Sequence, residues 1–288
     1  MTAWQWRPEV VLVVAALGAA YIVGWRRLRR WPAVAGRSQL FLYLAGLVVV
    51  TLALLSPIDA LANSLLTMHM LQHELLTMVA PPLLLLANPL PVMLWALPLR
   101  LRHGLGRLLI RGARLRQGFR AATLMPVAWP VYMVILWGWH LPAAYEASLR
   151  NELVHNVQHL SFFAAALLFW WPLINPAPRL HGHIPYGFRL VYIIAAVGPT
   201  MLPVMSIAVF ATRVFYPHYA TVPRLWGLTA LDDQGLAWGL MGIMDGMVYL
   251  AAFLLLVARM LDREERMTRL REASDLRPKD ARPKRSPA

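Results

Sequence analysis

The chain has 288 residues, 59% of them hydrophobic and 15% charged, with a mean hydropathy of +0.52 and no cysteine. So little polar surface excludes a soluble globule of this size, and the lack of cysteine excludes disulfides and thiolate ligation. An excess of 28 Lys+Arg over 14 Asp+Glu would suggest nucleic acid in a soluble protein; in so apolar a chain it points instead to basic loops on the cytoplasmic side of a membrane, with no nucleic acid as partner.

Residues 1–9 carry Trp4, Trp6, Arg7 and Glu9, and the apolar run Val10–Gly24 ends in WRRLRR. A cleaved signal peptide has its positive charge before the apolar core. The reversed order predicts an uncleaved first span with its N-terminus outside, anchored by interfacial tryptophans. Arg26, Arg27, Arg29, Arg30 and Arg37 then form a basic inner loop. Gln39–Ser56 is the second span, stopped by Ser56-Pro57, and the connection around Ile58–Asn63 holds Asp59 and no basic residue. The third span runs inward from about Leu61 to Ala87, with Pro81-Pro82 expected to kink its inner half. Asn88–Leu97 is proline-rich and reads as a short interfacial or re-entrant piece. Arg100–Arg120 holds seven arginines and reads as an inner-surface helix touching anionic lipid.

Leu124–His140 is the fourth span, running outward to WGWHLP, and LPAAYEASLRNE is a short outer loop. Leu153–Ile174 is the fifth and runs inward; Asn175–Phe188 is an inner loop. Arg189–Ala211 is the sixth, with a break expected at Gly198-Pro199. The loop Thr212–Gln234 holds Tyr216, His218, Tyr219, Asp232 and Asp233, and Gly235–Ala258 is the seventh span. The fold class is therefore an all-α integral membrane protein with seven transmembrane helices, N-terminus outside and C-terminus cytoplasmic. Residues 1–260 form the transmembrane domain and 261–288 a charged cytoplasmic tail, disordered past about Asp275. With this topology 24 of the 28 Lys+Arg lie on the inner side.

The third span carries the chemistry. LTMHMLQHELL places His69 and His73 at i,i+4, so both rings share one helix face. His155 and His159 repeat the spacing in ELVHNVQHLSF, and His140 closes the fourth span. Ionisable side chains are costly in hydrocarbon and normally face a bundle interior or a wet cavity. At 1.5 Å per residue His69 and His73 lie about 10–18 Å below the outer start of their helix, and His155 and His159 lie in the first two turns of theirs. Met201, Met205, Met244 and Asp245 fall in the outer halves of the last two spans. Imidazole and thioether without thiol suit copper, with methionine favouring Cu(I). Each feature has a plainer reading: a histidine pair can make interhelical hydrogen bonds, methionines fill core gaps, and Asp245 or Glu74 can hydrogen-bond a histidine.

At these residues the sequence resembles the CtaG family of cytochrome c oxidase assembly factors, polytopic proteins of the bacterial cell (inner) membrane. The likeness lies in HMLQHELLTMVAPPLLLLANP (69–89), GWHLPAAYEASLRNELVHNVQHLSFFAAALLFWWPLI (138–174), YPHYA (216–220) and LDDQGLAWGLMGIMDGMVYL (231–250). It implies seven helices and a non-enzymatic role in maturing a haem-copper oxidase by passing copper to its copper centre. The implied partners are an oxidase subunit and a periplasmic copper donor, and the implied ligand-bearing motifs are His69/His73, His140 and His155/His159. Met244-Asp245-Gly246 departs from the turn the resemblance implies there. Two other functions compete: a haem-binding membrane cytochrome or quinone oxidoreductase with His73 and His159 as axial ligands, and a copper transporter, which would need ligands through the full depth.

Overall fold

The computed structural model describes residues 4, 6–110 and 112–275. Arg111 of the basic stretch, and the tail past Asp275 where disorder was expected, lie outside the described residues. Among the described residues the chain is all helical. In chain order the helices are α1 (Pro8–Leu28), α2 (Pro32–Ala35), α3 (Arg37–Leu55), α4 (Pro57–Ala62) and α5 (Leu66–Glu74). A π-helical turn (Leu75–Val79) joins α5 to α6 (Ala80–Leu86), followed by α7 (Pro89–Ala96), α8 (Leu99–Leu108) and α9 (Arg114–Ala122). The remainder are α10 (Met125–His140), α11 (Pro142–Arg150), α12 (Glu152–Ile174), α13 (Tyr186–Phe210), α14 (His218–Thr221) and α15 (Ala230–Asp275).

Among the described residues five helical stretches are long and apolar enough to cross a membrane: Pro8–Leu28, Arg37–Ala62, Glu152–Ile174, Tyr186–Phe210 and the long last helix. Two bent pairs bring the number to as many as seven: Leu66–Leu86 with Pro89–Ala96, at 65°, and Arg114–Ala122 with Met125–His140, at 66°. Large apolar side chains such as Leu12, Phe41, Leu202, Phe210 and Leu255 are exposed along these helices, as a lipid-facing surface requires.

Several proline signals bend the chain less than the sequence suggests. Ser56-Pro57 ends α3 at Leu55, as expected, with Ser56 extended, but a short helix starts at the next residue and takes the span on to Ala62. Ser56 Oγ accepts from Ile58 N at 3.1 Å, and Pro57 opens α4 at the first helical position, where its missing N–H costs nothing. The carbonyl of Ala53, which Pro57 cannot serve, accepts from Gln72 Nε2 at 2.7 Å. Likewise Pro81 leaves the Thr77 carbonyl without its helical donor, and Trp170 Nε1 donates to it at 3.1 Å. The π turn immediately precedes these prolines. The break expected at Gly198-Pro199 is absent: α13 runs unbroken through Pro199 and Pro203, with Thr200 Oγ1 donating to the Ala196 carbonyl at 3.0 Å. The loop expected after His140 is mostly helix α11, and the last helix runs well past Ala258 to Asp275.

Close helix contact relies on glycine at one point above all. A Cβ on Gly24 would collide with the main-chain carbonyl of Val92, so α1 and α7 meet backbone to backbone. Among the described residues three buried clusters fill the interior, one of them packing Tyr21, Tyr43, Leu47 and Val92 between α1, α3 and α7. Another, nearer the histidine end, joins Leu66, Met70, Tyr145, Tyr216, Tyr219, Trp238 and Met241. The largest, toward the arginine end, includes Tyr132, Phe162, Phe169, Trp170, Tyr192 and Tyr249.

Candidate metal centre

Five of the nine histidines converge, and three helices bring them together. α5 supplies His69 and His73, α12 supplies His155 and His159, and α10 ends at His140. Ring centroids lie 4.5 Å apart for His69–His73, 4.1 Å for His155–His159, 5.1 Å for His69–His155, 5.5 Å for His73–His159 and 6.0 Å for His73–His140. One ring nitrogen from each of His69, His155 and His159 falls within 4.8 Å of the others. His155 is half-buried and the other four are buried.

The placement of α5 is set from outside the helix. Leu65 at its start offers no capping oxygen. Asp233, fully buried on α15, caps it instead: its carboxylate accepts from Leu66 N at 2.8 Å, Thr67 N at 3.0 Å and Thr67 Oγ1 at 2.7 Å. A carboxylate at a helix N-terminus satisfies orphan N–H groups and opposes the helix dipole. Arg224 pairs with the same carboxylate at 3.1 Å and donates to the carbonyl of Tyr219 at 2.8 Å. α5, α15 and the YPHYA loop are thus tied at one point.

Neighbours of the rings fix which nitrogen is free. Tyr219 Oη donates to the Ala62 carbonyl at 2.8 Å, so it accepts from His69 Nδ1 at 3.1 Å. Burial pushes the Tyr219 hydroxyl's pKa up, which keeps it a neutral donor. His69 therefore carries its proton on Nδ1 and has an open lone pair on Nε2. His140 behaves the same way, with Nδ1 donating to the Leu136 carbonyl at 2.7 Å. Nε2 of His69, His140 and His155, and both ring nitrogens of His73 and His159, are buried with no hydrogen-bond partner. The centre thus presents neutral nitrogen lone pairs to a common space, a donor set that fits a soft or borderline metal ion.

The remaining sequence candidates sit elsewhere. Met205 covers Gly242, and Met201 Sδ comes within 3.7 Å of where a Cβ on Gly246 would stand, so both methionines pack α13 onto α15. Met244 is partly exposed. Asp245 is buried against Glu74, the residue that follows His73, carboxyl to carboxyl. His218 fastens its loop through Nε2 to the Asn63 carbonyl at 2.9 Å. Sequence reading missed Gln158, buried between the two α12 histidines, and the tautomer-fixing role of Tyr219. The second had a signal, the tyrosine-rich YPHYA stretch.

A polar recess of about 380 Å³, lined by Arg7, Asp59, Asn63, Ser148, Glu152 and His155 among others, opens at the histidine end. His155, the least buried ring, stands in its wall. From Phe162, beside His73, toward the arginine end, Phe169 and Trp170 continue a packed, buried aromatic cluster.

No solved structure matches the chain. Among curated proteins it is similar to uncharacterized proteins of Mycobacterium bovis and Mycobacterium tuberculosis, each 24% identical over 257 residues, covering 83% of this chain and 37% of the relative. An uncharacterized protein of Mycobacterium leprae is 24% identical over 253 residues, 82% of this chain and 37% of its own. The chain spans just over a third of the length of the curated relatives it matches. The family model for cytochrome c oxidase caa3 assembly factors matches residues 19–263, which include every motif on which the sequence resemblance rests. The chain, a multi-pass membrane protein by its apolar helices, belongs to the cytochrome c oxidase caa3 assembly factor family.

Proposed function

We propose that this protein holds Cu(I) in transit to the copper centre of a haem-copper oxidase, acting without catalysis from the bacterial cell membrane. In this reading the N-terminus and the histidine end face outward, and the arginine end and C-terminus face the cytoplasm, as the charge asymmetry favours. One observation carries the proposal: four buried imidazoles and the half-buried His155, from three helices, meet with unpartnered nitrogens, and two have their tautomer preset by bonds to groups outside the cluster. Copper enters through the polar recess at His155, passes to His69 and His159, and reaches His73 and His140 by exchange of one imidazole for the next. A periplasmic donor delivers it, and an oxidase subunit receives it.

The competing functions fit less well. A porphyrin between His73 and His159 would pass through His69 and Phe162, whose rings lie 4.5 and 4.7 Å from His73. A transporter needs a polar route to the other side, and the interior toward that side is filled by the packed aromatic cluster.

The test is copper content and oxidase maturation in copper-limited medium, wild type against His69→Ala/His73→Ala. The double variant is expected to accumulate normally, lose bound Cu(I) and leave the oxidase without copper. Normal oxidase activity in that variant overturns the assignment. A Soret band in the purified wild-type protein would replace it with the cytochrome reading.

A further inference from the structure

A large cavity lies at the arginine end, apart from the five-histidine centre. It measures about 860 Å³ and is walled by α9, the loop after α12 and the start of α13. Arg116, Arg120, Arg179, Arg189, His181 and His183 line it, and among the described residues no carboxylate does. None of the four guanidiniums forms an ion pair among the described residues. Arg259 stands close enough to Arg189 to repel it.

Part of this cavity is rigidly built. Arg116 donates to the carbonyls of Leu109 at 2.8 Å and Arg179 at 2.7 Å, which clamps the loop over α9. Arg189 Nη1 donates to the Leu173 carbonyl at 3.1 Å, while its buried Nε has no acceptor. Converging cations without counter-ions are an unfavourable arrangement unless an anion joins them.

A second feature says what kind of anion. An apolar groove of about 190 Å³, lined by Leu86, Leu173, Ile193, Ala252 and Leu256, runs along α12, α13 and α15. Ile174 lines both the groove and the basic cavity. A charged chamber that continues into an apolar furrow on a membrane-embedded surface matches a phosphate headgroup with an acyl chain attached.

We infer that the cavity is a specific site for an anionic phospholipid, with its phosphate held among Arg120, Arg179, Arg189 and His181 and one acyl chain laid along the α12–α13–α15 groove. Free phosphate shares the headgroup chemistry, and the furrow favours the lipid. The test titrates the full-length chain in detergent with cardiolipin, phosphatidylglycerol, phosphatidylcholine and pyrophosphate. Native mass spectrometry reads retained lipid, and thermal shift gives the apparent Kd. Both anionic lipids are expected to bind and phosphatidylcholine to be released. The side-chain guanidiniums of Arg120 and Arg179 form no hydrogen bond within the described protein, so Arg120→Gln/Arg179→Gln should fold normally. It should weaken anionic lipid by about 30-fold, a factor of about five per arginine. Arg100→Gln/Arg107→Gln removes the same charge from exposed α8 and should leave the Kd unchanged. Equal weakening by both double variants, retention of phosphatidylcholine as well as cardiolipin, or pyrophosphate binding as tight as the lipid's would overturn the inference.

Discussion

Tyr219→Phe deletes one oxygen that touches no proposed ligand atom. Tyr219 Oη accepts from His69 Nδ1 at 3.1 Å and donates to the Ala62 carbonyl at 2.8 Å. Its loss leaves a buried N–H and a buried carbonyl unpaired, at about 1–3 kcal/mol each. It also frees the His69 ring to rotate and to move its proton to Nε2, the nitrogen that has to bind the ion. Loss of such an orienting partner weakens metal binding by about 10–100-fold, or about 1.4–2.7 kcal/mol. Stability and affinity must be separated, and Tyr192→Phe does so. Its hydroxyl donates to the Phe169 carbonyl at 3.2 Å in the aromatic cluster away from the histidines. Competition with a colorimetric Cu(I) chelator and thermal unfolding in the same detergent are the assays. Tyr219→Phe should lose both stability and affinity, and Tyr192→Phe stability alone. If the two variants bind Cu(I) equally well, Tyr219 does not preset the His69 lone pair and the ligand assignment loses its best support.

Asp233→Ala should cost about 3–5 kcal/mol, because Arg224 stays behind as an uncompensated, partly buried cation and the start of α5 loses its cap. A wild-type unfolding midpoint in that variant would mean that the cap does not position the His69/His73 helix. Trp170→Phe should cost about 1–3 kcal/mol, since the Thr77 carbonyl beside Pro81 loses its donor; a neutral substitution would refute that account of how the helix accommodates Pro81. Gly24→Ala should destabilise by about 1–3 kcal/mol, because the added methyl meets the Val92 backbone. Gly242→Ala should cost less, because its closest contact is the flexible end of Met205, with Val204 Cγ1 at 3.3 Å, and not main chain. Equal midpoints for these two glycine variants would argue against backbone contact between α1 and α7.

The histidine centre was readable because i,i+4 spacing places two rings on one face whatever the rest of the chain does. The apolar runs and the skew of arginines gave the spans for similar reasons, since both are local properties. What local reading lost was the fate of each proline. Gly198-Pro199 looks like a break, yet α13 runs through it, and Ser56-Pro57 ends α3 only for α4 to start at once. The freed carbonyl of Ala53 finds Gln72 from 19 residues away, and that of Thr77 finds Trp170 from 93 away. No window of sequence contains both partners. Asp233 is the same case: it reads as a loop residue, and its role as the cap of α5 depends on a neighbour 167 positions earlier. The methionines pack in a way that their spacing alone did not specify. Met201 and Met205 share a helix face as expected, but the glycines at 242 and 246 offer them a groove to fill.

Interhelical hydrogen bonding, the plainest reading of paired histidines in a membrane, makes a specific demand. Rings gathered to satisfy one another should donate and accept among themselves. Here His69 and His140 send their Nδ1 protons away from the cluster, to Tyr219 and to Leu136, and the nitrogens facing inward are left without partners. Each buried unpaired nitrogen costs about 1–3 kcal/mol, so the arrangement is poor as scaffolding. It becomes favourable with an ion that takes several lone pairs at once, because a ligand at a thousand times its Kd stabilises the fold by about 4 kcal/mol. The five rings are neutral, and the adjacent carboxyls Glu74 and Asp245 face each other instead of the rings. Enclosing charge in such surroundings costs on the order of 20 kcal/mol for a single charge in the idealised limit, and the cost rises with the square of the charge. A centre of neutral nitrogens therefore favours a monovalent soft ion over a divalent one, which is the physical case for Cu(I).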